Sequence, residues 1–432
     1  MGHLHAAFEQ QPINRSEIPQ ELLDLESRER TNLFPWRGQF SPGLVELLLT
    51  RYSAKGNRIF DPFAGVGTTL FEAARRGLRS IGTEINPAAV AMAATVGFVP
   101  LSEKQRVQEV QAAETLLQDK LGNGLPLFDK GGENLKQRIV DVVKEAKPPY
   151  TRSLLTNALI RAMKSASELS IASLHHGFRQ HSDIVMRLPI SSQECDVNQA
   201  DARVTGLIDG SIDLVITSPP YINVFNYHQN NRQAMELLGS DILVVAQSEF
   251  GSNRKHRGNR FLTVIQYCLD LNAALVELRR VISNSGRVIL VVGRESNVRG
   301  IAFQNGSLVG SLAEMSGFTL TLRQERKFKN MFGDMIYEDI LHLAPTGSKA
   351  GEGSARQLGI SALEEGFAVA RDPGVTSDLK DAVRCADQVR ESPVFAEIKE
   401  APSGLLKGTS VRRRRAANQS TPAPEPVFAS GA

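Results

Sequence analysis

The stretch NRIFDPFAGVGTTLFEAARRGLRSIGTEINPAAV, residues 57–90, decides the fold. It opens as an apolar strand that runs into a turn carrying Gly65 and Gly67. TTLFEAARRG then reads as a short helix closed by Gly77, and RSIGTEI as a second strand. NPAAV starts another helix with Asn86 as its cap. Strand and helix alternating at this spacing predict an α/β chain built on a parallel sheet with helices on its faces.

The glycine turn sits where a strand hands over to a helix. Glycine there admits a ligand close to the backbone, and the helix amino terminus offers free N–H groups. A nucleoside triphosphate site needs Gly-Lys-Ser/Thr, but Thr68 follows Gly67. A dinucleotide turn needs a third glycine where this chain has Leu70. A smaller ligand without a pyrophosphate, S-adenosylmethionine, remains, with Glu84 at the end of the next strand placed to bind ribose hydroxyls. A purely structural turn with a surface glutamate reads equally well at this point.

Outward from that core, Ser41-Pro42 begins an apolar helix with Leu44, Val45, Leu47, Leu48 and Leu49. Residues 1–30 are polar and read as a loosely ordered arm, and 31–100 as a cofactor-binding half. Residues 101–197 show helical periodicity without strands and read as a helical insertion, a place for target recognition. Strand character returns over 198–345, with a long amphipathic helix across 261–282 and a closing pair of strands in FTLTLRQERKF and MIYEDILHLA. Residues 346–432, rich in Gly, Ser, Pro and charge, read as a low-complexity, largely disordered tail.

One further stretch stands out. DLVITSPPYINVFNYHQ, residues 213–229, drives an apolar strand into two adjacent prolines, which donate no backbone hydrogen bond and stop the sheet. Tyr221 then lies just past a strand's carboxyl end, where ligands of open α/β sheets bind.

Composition narrows the class. The chain has 432 residues, 41% hydrophobic and 22% charged, with a net charge of +3, too small to point to nucleic acid on its own. Its three cysteines are scattered with no CxxC spacing, which excludes a disulfide framework and a cysteine zinc site and suits a reducing cytoplasm. No apolar run approaches the ~18 residues that span a bilayer, and the amino terminus shows no secretion signal. His175, His176 and His181 lack partners at ligand spacing and read as helix-surface residues, so no metal is expected.

Two motifs together resemble the amino-methyltransferases that modify exocyclic amines of DNA bases. Asp61–Thr69 is similar to their D-P-F-x-G-x-G-T-T motif, and Ser218–Tyr221 to their [S/D/N]-P-P-[Y/F/W] motif. FSPGLVELLL from Phe40, GTEINPAAV, and ADAR at 200–203 resemble neighbouring family segments; the likeness covers 32–100 and 198–345. It implies a seven-stranded, mostly parallel, Rossmann-like methyltransferase sheet and S-adenosylmethionine as cofactor. It implies Phe40, Asp61, Phe63, Gly65, Gly67, Thr68, Thr69, Glu84 and Asn86 at the cofactor, with Asp201 facing its adenine. The cofactor motif precedes the catalytic one, as in a permuted member.

The implied catalytic residues are Ser218, Pro219, Pro220 and Tyr221. An exocyclic amine has its lone pair delocalised into the ring, so it must be held in line with the sulfonium methyl. Ser218 Oγ and the Pro219 carbonyl are placed to draw its hydrogens, and Tyr221 to stack on a flipped-out base. Serine at the first position favours cytosine N4 over adenine N6. Asn223, Asn226, Tyr227, Arg254, Lys255, Arg257 and Arg260 are the expected contacts to double-stranded DNA. A cognate restriction endonuclease would be a partner in a restriction–modification system. The alternatives are a tRNA or rRNA base amino-methyltransferase and a non-catalytic DNA-binding subunit of a modification complex.

Overall fold

The computed structural model describes residues 8, 10–25, 31–36, 38–122, 133–165, 169–222, 226–252, 255–329, 333–347 and 354–395. The described chain opens with α1 (Gln20–Asp24) and α2 (Pro42–Tyr52); Pro42 starts α2, while the Ser41 side chain makes no capping bond. The cofactor-half alternation follows as β1 (Arg58–Asp61), α3 (Thr68–Arg75), β2 (Arg79–Glu84) and α4 (Pro87–Ala93). Asn86 Oδ1 caps α4 by accepting from the N–H groups of Ala88 and Ala89. Helices α5 (Glu103–Leu121), α6 (Glu133–Glu145), α7 (Tyr150–Ser165) and α8 (Ile171–Met186) come next, then β3 (Cys195–Gln199) and β4 (Ile212–Thr217). Short helices α9 (Arg232–Leu237) and α10 (Ile242–Ser248) lead to α11 (Leu262–Val281) and β5 (Ile282–Gly293). A hairpin of β6 (Glu295–Val298) and β7 (Ile301–Gln304), α12 (Asn305–Met315), β8 (Phe318–Lys329) and β9 (Met335–Pro345) complete the sheet region, and α13 (Ala355–Val369) and α14 (Pro373–Arg384) follow.

The seven-stranded sheet runs β3-β2-β1-β4-β5-β9-β8, parallel from β3 to β5, with β9 antiparallel to both neighbours. This is the seven-stranded, mostly parallel α/β sheet the resemblance implied. β1 and β4 are adjacent, with Phe60 opposite Val215, so the glycine turn and the double proline leave the same edge side by side. Parallel strands buried on both faces explain the apolar runs LVI of β4 and VILVV of β5. Among the described residues no helix is long and apolar enough to cross a membrane.

Four expectations need correction. The arm expected to be loose over 1–30 is packed where it is described: Ile18 and Leu23 are buried with Leu44, Leu48 and Ile59, and Gln20 Nε2 donates to the Glu325 carbonyl at 2.9 Å. The helical segment ends before 197, because Cys195–Gln199 is the edge strand β3, paired with β2. Its helices share one apolar cluster with Phe71, Ala88 and Met92 of the cofactor half. His175 and His181 are buried on the inner face of α8; only His176 is exposed. Burial and the nearby Arg161 lower His181 to about 3, so it is neutral.

The tail is the fourth case. Residues 354–395 are not disordered: Leu358, Ala362 and Leu363 of α13 and Leu379 and Ala382 of α14 bury an amphipathic stripe against the core. Gly359 packs so close that a Cβ would lie 2.9 Å from the Ile265 Cα. Polar and charged residues such as Gln357, Glu364, Glu365, Ser377 and Lys380 fill the outward positions, and composition averaged over the segment hides the stripe. Residues 396–432 lie outside the described residues.

Arg106 of α5, 1% exposed, fastens the helical segment. Its guanidinium donates to the carbonyls of Phe98, Val99, Val185, Leu188 and Pro189 at 2.6–3.2 Å. Arg106→Leu strands these acceptors and is expected to lower unfolding stability by about 3 kcal/mol in urea denaturation. A loss below about 0.5 kcal/mol would contradict this role.

Candidate active site

β1 ends at Asp61 and the chain turns at once into α3. Gly65 and Gly67 take positive φ angles of 51° and 88°. A Cβ on Gly67 would lie 2.9 Å from that of Ala93, so glycine lets the turn close onto α4. Glu84, at the tip of β2, accepts from the N–H groups of Gly65 at 3.0 Å and Asn86 at 2.8 Å. Burial raises its carboxyl to about 7 against those donors. Asp61 is raised to about 6 by burial, opposed by the Thr217 hydroxyl, which donates to Oδ1 at 2.6 Å.

These tips open on one cleft. Phe40, Asp61, Phe63, Gly65, Thr68, Glu84, Asn86, Asp201, Ser218, Pro220 and Tyr227 all line it, so most of the expected cofactor residues and half of the catalytic motif share a single cavity. Gly67, Thr69, Pro219 and Tyr221 are not in its wall. Thr69 lies beneath it, its hydroxyl 3.4 Å from the Ile216 carbonyl. Tyr221 stands behind Ser218, with Oη 3.2 Å from Ser218 Oγ and its ring on Gly293, where a Cβ would come within 3.3 Å. Burial pushes its phenol pKa up. The expected open stacking face on Tyr221 is therefore covered on one side by the end of β5.

The residues expected at nucleic acid divide. Tyr227 is in the cleft wall, its carbonyl accepting from Asn86 Nδ2 at 2.9 Å, which joins the loop after β4 to the loop after β2. Asn226 Oδ1 accepts from the Ser252 hydroxyl at 3.0 Å. Lys255 is turned inward: its ammonium donates to the Gln247 carbonyl and the Ser392 hydroxyl, and burial lowers it to about 8. Arg257 is exposed and Arg260 half-buried. Asn223 and Arg254 lie outside the described residues.

Asp201 borders the cleft, but its carboxylate is already engaged. Oδ1 accepts from the Arg203 N–H and Nε at 3.0 and 2.9 Å, and Oδ2 from Arg203 Nη2 and the Phe395 N–H at 2.7 and 2.9 Å. Sequence reading also missed Trp36, Glu249 and Phe250 in the wall. Glu249 is held by His228, whose Nδ1 lies 2.6 Å from Oε2. No local spacing marks that pair, whose members lie on opposite sides of α9 and α10.

Residues 12–95 match the DNA methylase family model of N6/N4 type. Over 67 residues the chain is 43% identical to the type II methyltransferase M.MjaII of Methanocaldococcus jannaschii; that alignment spans 15% of this chain and 13% of the relative's length. Solved structures with similar folds include an S-adenosylmethionine-dependent methyltransferase of Methanosarcina mazei (11% identity, TM-score 0.32, 69% of this chain and 97% of that one). An rRNA methyltransferase of Streptomyces viridochromogenes is similar at 12% identity and TM-score 0.30, over 78% and 94%. The matched segment, which holds the glycine turn and Glu84, is similar to DNA methylases of N6/N4 type.

Asp61 gives a pH-dependent prediction. With a folded pKa above the ordinary 3.8, its contribution is fully present below about pH 4 and is lost as pH rises through about 6. Removing the Thr217 donor deepens that loss, because the ionised form then loses its shortest hydrogen bond and keeps only weaker donors such as the Phe63 N–H at 3.1 Å. Thr217→Val is expected to destabilise by about 1–3 kcal/mol at pH 8 and by clearly less near pH 4, read from urea curves. Equal losses at both pH values would show that Thr217 does not stabilise the carboxylate.

Proposed function

We propose that this protein transfers the methyl group of S-adenosylmethionine to an exocyclic amine of a base flipped out of double-stranded DNA, with cytosine N4 ahead of adenine N6. The observation that carries the reading is the shared cleft: Gly65 and Glu84 border the same cavity as Ser218. At the tips of β1 and β2, Glu84 would accept from the ribose hydroxyls of a bound donor and Asp61 would hold its methionine ammonium. Phe40, Phe63 and Phe250 give the apolar wall.

Ser218 Oγ is the acceptor for a hydrogen of the target amine. Tyr221 Oη, 3.2 Å away, orients that hydroxyl from behind. Drawing an N–H toward an acceptor turns the nitrogen lone pair out of conjugation and toward the methyl carbon. S-adenosylmethionine, when bound, would supply the methyl group, its carbon–sulfur bond breaking as the nitrogen–carbon bond forms; the amine proton would pass to solvent after transfer, so no strong base is required. Tyr227, the tyrosine that lines the cleft, is the better placed stacking surface. The exposed Arg257 faces phosphate in this reading. A restriction endonuclease would be the functional partner if the methylation protects a site, and the cytoplasm the compartment.

Transfer of a labelled methyl group to duplex DNA tests the reading. Ser218→Ala is expected to lower kcat about 100-fold, a loss comparable to removing one transition-state hydrogen bond, with the KM for S-adenosylmethionine nearly unchanged. An undiminished rate would remove Ser218 from the mechanism. Long-read sequencing of DNA from an expressing host then reports N4-methylcytosine or N6-methyladenine.

Cofactor binding should follow the ionisation of Glu84. A carboxyl raised to about 7 must lose its proton to accept two hydroxyls, so affinity falls as pH drops below about 7, by up to roughly tenfold per unit. Calorimetry with S-adenosylmethionine between pH 5.5 and 8.5 reads this slope. A flat profile would show that Glu84 does not titrate in the binding step.

A further inference from the structure

Beyond α14 the described residues, to 395, stay packed on the molecule. Residues 389–395, Val-Arg-Glu-Ser-Pro-Val-Phe, form an extended strap whose carbonyls take Arg356 Nη1 at Val389 (2.9 Å) and Gln266 Nε2 at Arg390 (3.0 Å). The strap then meets a cluster of buried charges. Arg203 lies between the carboxylates of Asp201 and Asp270, with Nη1 3.0 Å from Asp270 Oδ1. Arg203 is 6% exposed, Asp201 2%, Asp270 0% and Ser392 2%.

Ser392 completes this cluster. Its N–H donates to Asp270 Oδ1 at 2.7 Å and its hydroxyl donates to Asp270 Oδ2. Its carbonyl and that of Pro393 accept the two Arg203 amino groups at 2.6 and 2.8 Å. Lys255 donates to the same hydroxyl, which also lies 3.5 Å from the Glu249 carbonyl. Phe395 N–H takes the last position on Asp201.

The other side of this cluster is the cleft. Asp201, Glu249 and Phe250 are wall residues, and the Arg203 guanidinium packs on the Phe250 ring at 4.9 Å. The wall at 200–202 and 248–250 is not strand, so no sheet ladder fixes its position. It is held by buried side-chain charges, and buried charges keep their geometry only while every partner is in place. The strap supplies two carbonyls to the cation and two N–H groups and a hydroxyl to the anions.

We propose that the strap 389–395 is the back wall of the cofactor site, and that Ser392 is a positioning residue for S-adenosylmethionine, acting through Asp270 and Arg203 on Asp201 and Phe250. This rests on the cofactor assignment above. It gives the segment after the sheet a role in binding that its composition did not suggest, and it explains why an aspartate bordering the cleft spends both oxygens on protein groups.

The experiment uses the full chain with Ser392→Ala and, separately, Arg203→Lys, which keeps the charge but not the fork that reaches both carboxylates and both carbonyls. Val394→Ala, at an exposed strap position, is the control. Calorimetric Kd for S-adenosylmethionine and steady-state methyl transfer are measured beside Tm. The expected result is a KM and Kd for the cofactor raised about tenfold in both variants, with kcat at saturating cofactor and KM for DNA within about twofold of the parent and the control unchanged. A merely structural role lowers Tm and active fraction and leaves cofactor KM alone, which overturns the proposal. So does cofactor affinity within twofold of the parent. Should Ser392→Ala not fold, Ser392→Cys, nearly isosteric with a weaker donor, is read by the same criteria. A parent protein that binds no S-adenosylmethionine fails the cofactor assignment instead, before any variant is compared.

Discussion

The hydrogen bond from Thr217 to Asp61 joins the two strand tips on which the site depends. It spans 2.6 Å between the end of β4 and the end of β1, with both side chains almost fully buried. A carboxylate there is held away from water, and its pKa rises accordingly. The same bond fixes where the glycine turn departs relative to Ser218. Sheet register sets the tips side by side; this contact sets their relative height.

The rest of the site repeats that design at increasing distance. Glu84 is held by backbone N–H groups of the first turn, and Asn86 reaches from the same loop to the Tyr227 carbonyl. Glu249 is held by His228, and Asp201 by Arg203 and the strap. Each loop around the cleft is fixed by a polar group whose partner comes from another loop. Such networks are rigid when complete and costly when one member is missing.

The molecule also shows how far local pattern reaches. The alternation over 57–90 and the apolar run before the double proline are consequences of strands buried on both faces, and both were legible. Lys255 was not: its neighbours in sequence are Gly, Ser, Asn and charge, yet its ammonium meets Ser392, far along the chain. His181 looked like a surface residue because one histidine on a helix carries no sign of which side faces the core. The tail helices escaped notice because few apolar positions suffice when the partner surface, α11, is already apolar.

By itself the sequence determined the parallel sheet, the glycine turn, the acidic tip after β2 and the serine that begins the proline motif, because each follows from local backbone rules: periodicity, positive φ and missing N–H groups. Tertiary structure alone decided that Tyr221 stands behind Ser218 while Tyr227 borders the cleft, that Asp201 spends its charge on Arg203, and that residues 389–395 back the wall. Those outcomes depend on which buried charges find partners across long chain separations, and pairing of that kind has no periodicity along the chain.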